Sequence, residues 1–409
     1  MAAETGQNPK VLEHLFGPGK KRILALDGGG VRGIVTIAFL EHVERALREE
    51  TGRSDLVLGD FFDMIGGTSV GSMLAVMLAM GFPVAEIKRL FLDWAPAIFR
   101  GRTTLIGPRR FDARQLVNRV RSVVGDAALD SEKLCTGLTL VAKRVDTGSP
   151  WVLSNNPKMP YFDDGDDWIG NRHYKLWRLI RASTSAPFLF TPTEIVIHED
   201  EAGNVEKGLF VDGAVSPHNN PALQMLLQAS LASYKLAWTL TPEDLLLISI
   251  GTGHHRTKVA REDRRILRGY KASLARLIGR TLIEDIEEAS FAVQTLRGLV
   301  GDSEVFALQI LQALSNPRFC WLINSEIGSL DEELFAANGA LDGPVMSFQR
   351  YNLPLEMNLL PAEFDIAAPL AQRQSLTEID NPDKMDELYT LGTEAAEKQV
   401  SRRDFAAFV

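Results

Sequence analysis

Cysteine is scarce: the 409-residue chain has two, Cys135 and Cys320. That is too few for a disulfide framework, and a reducing cytosol is the natural setting. Both sit in apolar company, in KLCTGLTL and RFCWLI, and read as small core residues rather than nucleophiles. No stretch reaches about 18 consecutive apolar residues, so no membrane-spanning helix is expected. The opening MAAETGQNPK lacks a basic region followed by an apolar run, so it does not read as a signal peptide. H-E-x-x-H, C-x-x-C and the EF-hand frame are missing, and no metal or cofactor is expected. The acidic run at 163–167 then reads as a solvated loop. A net charge of −9 argues against a nucleic acid polymer as partner.

What is present is ordinary globular material, 45% hydrophobic and 24% charged. A chain of this length buries a large core without covalent staples. Residues 1–20 read as a polar lead-in. Strands are expected at 22–27, at 61–67, at 137–146, around 190–197, at 208–212 and at 245–250, with DEAGN at 200–204 as the turn of a hairpin. Apolar residues recur at helical spacing over 34–49 and again after Ser69. Strands separated by helical stretches predict an α/β fold, a largely parallel central sheet with helices on both faces. The character changes near 255. A basic stretch at 256–280 precedes long apolar helical segments, so 21–255 reads as one domain and 256–409 as a mainly helical C-terminal extension that either stands apart or packs on the same core.

Three motifs carry chemistry. In ILALDGGGVRG (23–33), Gly28, Gly30 and Gly33 satisfy G-x-G-x-x-G between a strand and a helix. Such a nest of backbone N–H groups holds either a pyrophosphate or an oxyanion. Gly67-Thr68-Ser69-Val70-Gly71 is G-x-S-x-G in a strand–turn–helix frame, the context of a nucleophile elbow. Asp212 closes the strand GLFVD and is followed by Gly213, at the carboxyl end of a sheet, where α/β sites form. The second motif decides the first. A dinucleotide site wants an acidic residue at the end of the second strand, and a Walker loop wants Gly-Lys-[Ser/Thr]. Here the second strand runs into Ser69 instead, which favours an oxyanion.

The order D-G-G-G-x-R-G, G-x-S-x-G, D-G-[GA] resembles the patatin-like phospholipases, as do RASTSAPFLFTP (181–192) and Asn219-Asn220-Pro221. The resemblance covers roughly 21–255, and nothing after 256 maps onto it. It implies a three-layer α/β sandwich and a phospholipase A type lipid acyl hydrolase. Ser69 would be the nucleophile, Asp212 the base of a histidine-free dyad, and Gly28, Gly29 and Gly30 the oxyanion hole. Arg32, Gly67, Gly71 and Gly213 would support them, Arg32 by shaping the loop or meeting a lipid phosphate. His218, six positions after Asp212, is the one rival base.

A phospholipid membrane surface would be the substrate, reached by a cytoplasmic chain acting peripherally at the inner face. The basic stretch 256–280 reads as a head-group contact, a solvated helix face or a subunit contact of a homo-oligomer. LFLDWAPAIF (90–99) reads as a core segment or as the lining of an acyl pocket. The layout of a patatin core with an extension is similar to bacterial anti-phage effectors switched on by cyclic nucleotides, which makes a cyclic dinucleotide the expected activator in that alternative. An idle lipid-binding protein on the same fold is the other.

Overall fold

In a computed structural model of the chain, the described residues are 7–100, 111–187, 189–254, 344–355 and 378–409, with isolated positions between 307 and 315 and Leu376. The basic stretch at 256–280 and Cys320 lie outside them. Eight strands form one sheet: β1 (Lys21–Leu26), β2 (Met64–Thr68), β3 (Gly137–Arg144), β4 (Pro150–Ser154), β5 (Thr193–Glu199), β6 (Val205–Asp212), β7 (Leu245–Ile250) and β8 (Ser347–Tyr351). Their order is β5-β6-β3-β2-β1-β7-β8, with β4 pairing along β3. The run from β3 to β8 is parallel, and the β5–β6 hairpin joins β3 antiparallel at Ala142–Asp212. Asp200 and Asn204 close the hairpin turn as its sequence suggests, through a backbone hydrogen bond and Asp200 acceptors. Central strands are apolar on both faces, as a covered parallel sheet requires: all six residues of β7 are buried.

The helices are α1 (Pro9–Phe16), α2 (Gly33–Thr51), α3 (Leu58–Phe61), α4 (Val70–Ala79), α5 (Val84–Phe99), α6 (Ala113–Val124), α7 (Leu176–Ser183), α8 (Ala222–Ser230) and α9 (Met385–Gln399). They cover both sides of the sheet. Adjacent strand residues point to opposite faces. A Cβ on Gly66 would meet Met225 of α8, whereas one on Gly67 would collide with Gly71 of α4. The chain is therefore a three-layer α/β structure.

Two segments do more than their sequence suggests. The lead-in contains α1, capped by Asn8, whose side chain accepts from Lys10 N at 3.0 Å, with Val11 and Leu15 buried one turn apart. The C-terminal region is more than an added helical layer. Its strand β8 extends the sheet in parallel beside β7, and α9 packs along α2, where Gly392 lies against Val35 and Ala38. Cys135 is half-buried rather than a core residue, with its thiol pushed up by desolvation. The 90–99 segment forms most of α5 and is amphipathic, with Phe91, Trp94, Ala95 and Ile98 buried in the core and Leu92 exposed.

Candidate active site

β2 ends at Thr68 and α4 begins at Val70, which leaves one residue to turn the chain. Ser69 makes that turn at φ 54° and ψ −125°, in the left-handed half of the map that side chains avoid. The flanking glycines make it sterically feasible. A side chain at Gly67 would strike the Gly71 backbone, and one at Gly71 would strike the end of β1. α4 is buried along its whole length, so Ser69 sits fixed at the positive end of a helix dipole.

Ser69 Oγ donates to Asp212 Oδ2 at 2.6 Å. Asp212 arrives at the end of β6 and is 3% exposed. Its second oxygen, Oδ1, accepts the Ala214 N–H at 2.8 Å. Burial pushes the carboxyl up to about 6 from an ordinary 3.8, while the Ser69 hydroxyl, the Ala214 N–H and the Arg181 charge hold it down. Gly213 allows the close pass, since a Cβ there would meet Val141 and Thr68.

One segment that the sequence singled out without assigning roles holds both partners. Ser183, at the end of α7, accepts the Ser69 N–H at 2.8 Å and donates to the Val141 carbonyl at 2.6 Å. The Ser185 carbonyl accepts the Asp212 N–H at 3.0 Å. Arg181, buried, donates to Ser185 Oγ at 2.5 Å and to the Thr191 carbonyl at 2.6 Å, and desolvation lowers its pKa to about 10. The usable signal was three small polar residues in a row (183–185) closing an amphipathic helix.

The glycine loop lies against the nucleophile: a Cβ on Gly28 would stand 3.1 Å from Ser69 Cβ. The three expected oxyanion donors are not equivalent. The Gly28 N–H is already committed to the Asn219 carbonyl at 3.1 Å, and Val31 N–H donates to the Ile379 carbonyl at 2.9 Å. Gly29 and Gly30 make no such backbone bond among the described residues. Arg32 is buried and donates to the Gly253 carbonyl at 3.3 Å, which suits shaping the loop better than reaching a lipid phosphate. The 219–221 stretch is scaffold: Asn219 fastens Gly28, and Asn220 Oδ1 accepts from Ala222 N and Ser249 Oγ.

His218 stands beside the site without joining it. Its carbonyl accepts the Thr68 hydroxyl at 2.6 Å, but ring Nδ1 has no hydrogen-bond partner, and both Asp212 oxygens are taken by Ser69 and Ala214. Desolvation lowers its pKa. The acidic run is tied up locally, Asp163 with Arg172 and Asp164 with His173 and the Gly170 N–H. Among the described residues no group of three or more His, Cys, Asp and Glu is placed to hold a metal, and no helix is long and apolar enough to cross a membrane.

A model of the patatin-like phospholipase family matches residues 24–226. Patatin-2-Kuras 1 from Solanum tuberosum is 30% identical over 245 residues, covering 56% of this chain and 62% of the relative. Another Solanum tuberosum protein, Patatin, is 30% identical over 245 residues, with 56% and 60% covered. The match thus spans less than two thirds of the length of these curated relatives. VipD from Legionella pneumophila aligns over 93% of this chain and 67% of its own at 11% identity, with a TM-score of 0.33, too low to bear on the fold. Residues 24–226 of the chain thus carry a patatin-like phospholipase domain.

Proposed function

We propose that the chain is a serine lipid acyl hydrolase that cleaves glycerophospholipid esters at a membrane surface. The observation that carries this reading is the direct 2.6 Å hydrogen bond from Ser69 Oγ to Asp212 Oδ2 inside a buried elbow. Ser69 Oγ attacks the ester carbonyl while its proton passes to Asp212. The tetrahedral oxygen takes the Gly29 and Gly30 N–H groups, with Gly28 holding the loop through Asn219. As the C–O bond breaks, Asp212 returns the proton to the leaving alcohol, and an acyl-serine remains. Water attacks the acyl carbonyl, gives a proton to Asp212, and the fatty acid leaves as Ser69 is reprotonated. A carboxylate is an adequate base here because burial brings it toward the working pH.

The test is fatty-acid release from mixed phospholipid vesicles. Ser69→Ala and Asp212→Ala are expected to lose at least about 1,000-fold in kcat. His218→Ala is expected to stay within about tenfold, because its ring takes no part in the serine–aspartate contact. A large loss in folded His218→Ala would replace the dyad with a histidine mechanism. Wild-type silence with every lipid would leave the idle binding protein. The same vesicles with and without cyclic dinucleotides read the activation that the effector resemblance implies.

A further inference from the structure

The glycine loop is gripped by residues that lie outside the matched family stretch. Asp27 directly follows β1 and leads into Gly28–Gly30, and it is almost completely buried at 1% exposure. An ionised group at such a depth needs a fitted partner. Arg350 of β8 supplies one. Nη1 meets Oδ1 at 2.9 Å and Nη2 meets Oδ2 at 2.5 Å, a two-point fork that lysine cannot reproduce.

The register explains the reach. Ala25 of β1, Ser249 of β7 and Arg350 of β8 stand in one row across the sheet, so the guanidinium crosses an entire strand to meet Asp27, two residues past Ala25 and just beyond the end of β1. On its way Nη1 donates to Ser249 Oγ at 2.8 Å, and Ser249 Oγ donates to Asn220 Oδ1 at 3.3 Å. Asn219, next in the chain, accepts the Gly28 N–H. Arg350, Asp27, Gly28, Asn219, Asn220 and Ser249 therefore close a ring around the root of the loop. From the other side, the Ile379 carbonyl takes the Val31 N–H at 2.9 Å and fills the place a Gly30 Cβ would need.

We propose that Arg350 is a positioning residue of the oxyanion loop: by clamping Asp27 it aims the Gly29 and Gly30 N–H groups at the carbonyl beside Ser69. The assignment rests on the hydrolase reading above. It makes part of the C-terminal region a component of the catalytic apparatus, acting through the Arg350 bonds to Asp27 and Ser249. The loop's N–H groups act on developing charge and little on the ground state, so disturbing their aim lowers kcat and spares KM.

The experiment measures kcat and KM on a soluble p-nitrophenyl ester, with urea unfolding of each variant in parallel. Arg350→Met is expected to lose about 10- to 100-fold in kcat with KM within about threefold, less than the roughly 100- to 1,000-fold cost of deleting an oxyanion donor, because the donors are misaimed rather than removed. Arg350→Lys, which restores charge without the fork, is expected to fall between. The pair Asp27→Asn with Arg350→Gln replaces the buried ions by neutral amides and is expected to recover kcat relative to Arg350→Met or, should that variant not fold, relative to Arg350→Lys. Wild-type kcat in a folded Arg350→Met, or a loss carried by KM, overturns the assignment and leaves the hydrolase reading standing. Absence of turnover in the wild-type chain overturns the hydrolase reading, and the role of Arg350 falls with it.

Discussion

Ser69 is held at φ 54° and ψ −125° by its neighbours rather than by its own preference. A side-chain-bearing residue in this region costs about 1–3 kcal/mol, a cost met by the packing of β2 and α4 around it. Ser69→Ala removes the hydroxyl and keeps the Cβ, whereas Ser69→Gly removes both. Glycine relieves the strain but gives back about 0.5–1 kcal/mol through its freer unfolded chain. We therefore expect Ser69→Gly to be about 1 kcal/mol more stable than Ser69→Ala in urea unfolding, although both lack turnover. Equal stabilities would mean that the elbow carries no strain. At this scale the sequence was most legible where a residue's place in the fold is announced by its immediate neighbours, as with Ser69 between its glycines and Asp212 before Gly213. It assigned no role to Ser183 or Arg350. Their partners stand 114 and 323 positions away, and only the folded sheet brings them together.

Among the elements, those with strong periodicity were readable, and β7 occupies the very residues its apolar run suggests. β8 was not: SFQRY is five residues long, mixes polar and aromatic groups, and exists as a strand because β7 presents an edge to it. The same holds for α9, whose docking on α2 depends on Gly392. A Cβ there would lie 3.1 Å from Ala38 Cβ and 3.3 Å from Val35 Cα. For Gly392→Ala, this crowding opposes a helix-propensity gain of up to about 1 kcal/mol, so the change should be near neutral. Gly392→Val adds two methyl groups to a filled seam and should destabilise by about 1–3 kcal/mol. Urea midpoints for the two variants decide the matter. If valine is tolerated as well as alanine, α9 does not pack this closely on α2.

For the whole molecule, the site's chemistry sets a pH-dependent term in stability. Asp212 titrates near 6 when folded against 3.8 as an ordinary carboxyl, because its charge is desolvated. A folded value raised above the unfolded one favours the fold below about 3.8, and that advantage disappears as pH rises through 6. At pH 8 the ionised Asp212 is thus a liability of roughly 2 pKa units, or about 3 kcal/mol. Asp212→Asn keeps the shape, can accept from Ala214 and can exchange the Ser69 contact for an amide donor, yet it carries no charge. We expect this variant to unfold at higher urea than the wild type at pH 8. The gap should narrow as the pH falls below 6 and close below about 3.8, where Asp212 is neutral in the folded and unfolded states alike. Every other carboxylate titrates in both proteins, so the difference isolates this one group. A wild type more stable than Asp212→Asn at pH 8 would show that the hydrogen bonds from Ser69 and Ala214, together with the Arg181 charge, outweigh desolvation. The base would then sit too low to draw the serine proton efficiently near neutral pH, and the oxyanion loop would have to supply a larger share of the rate.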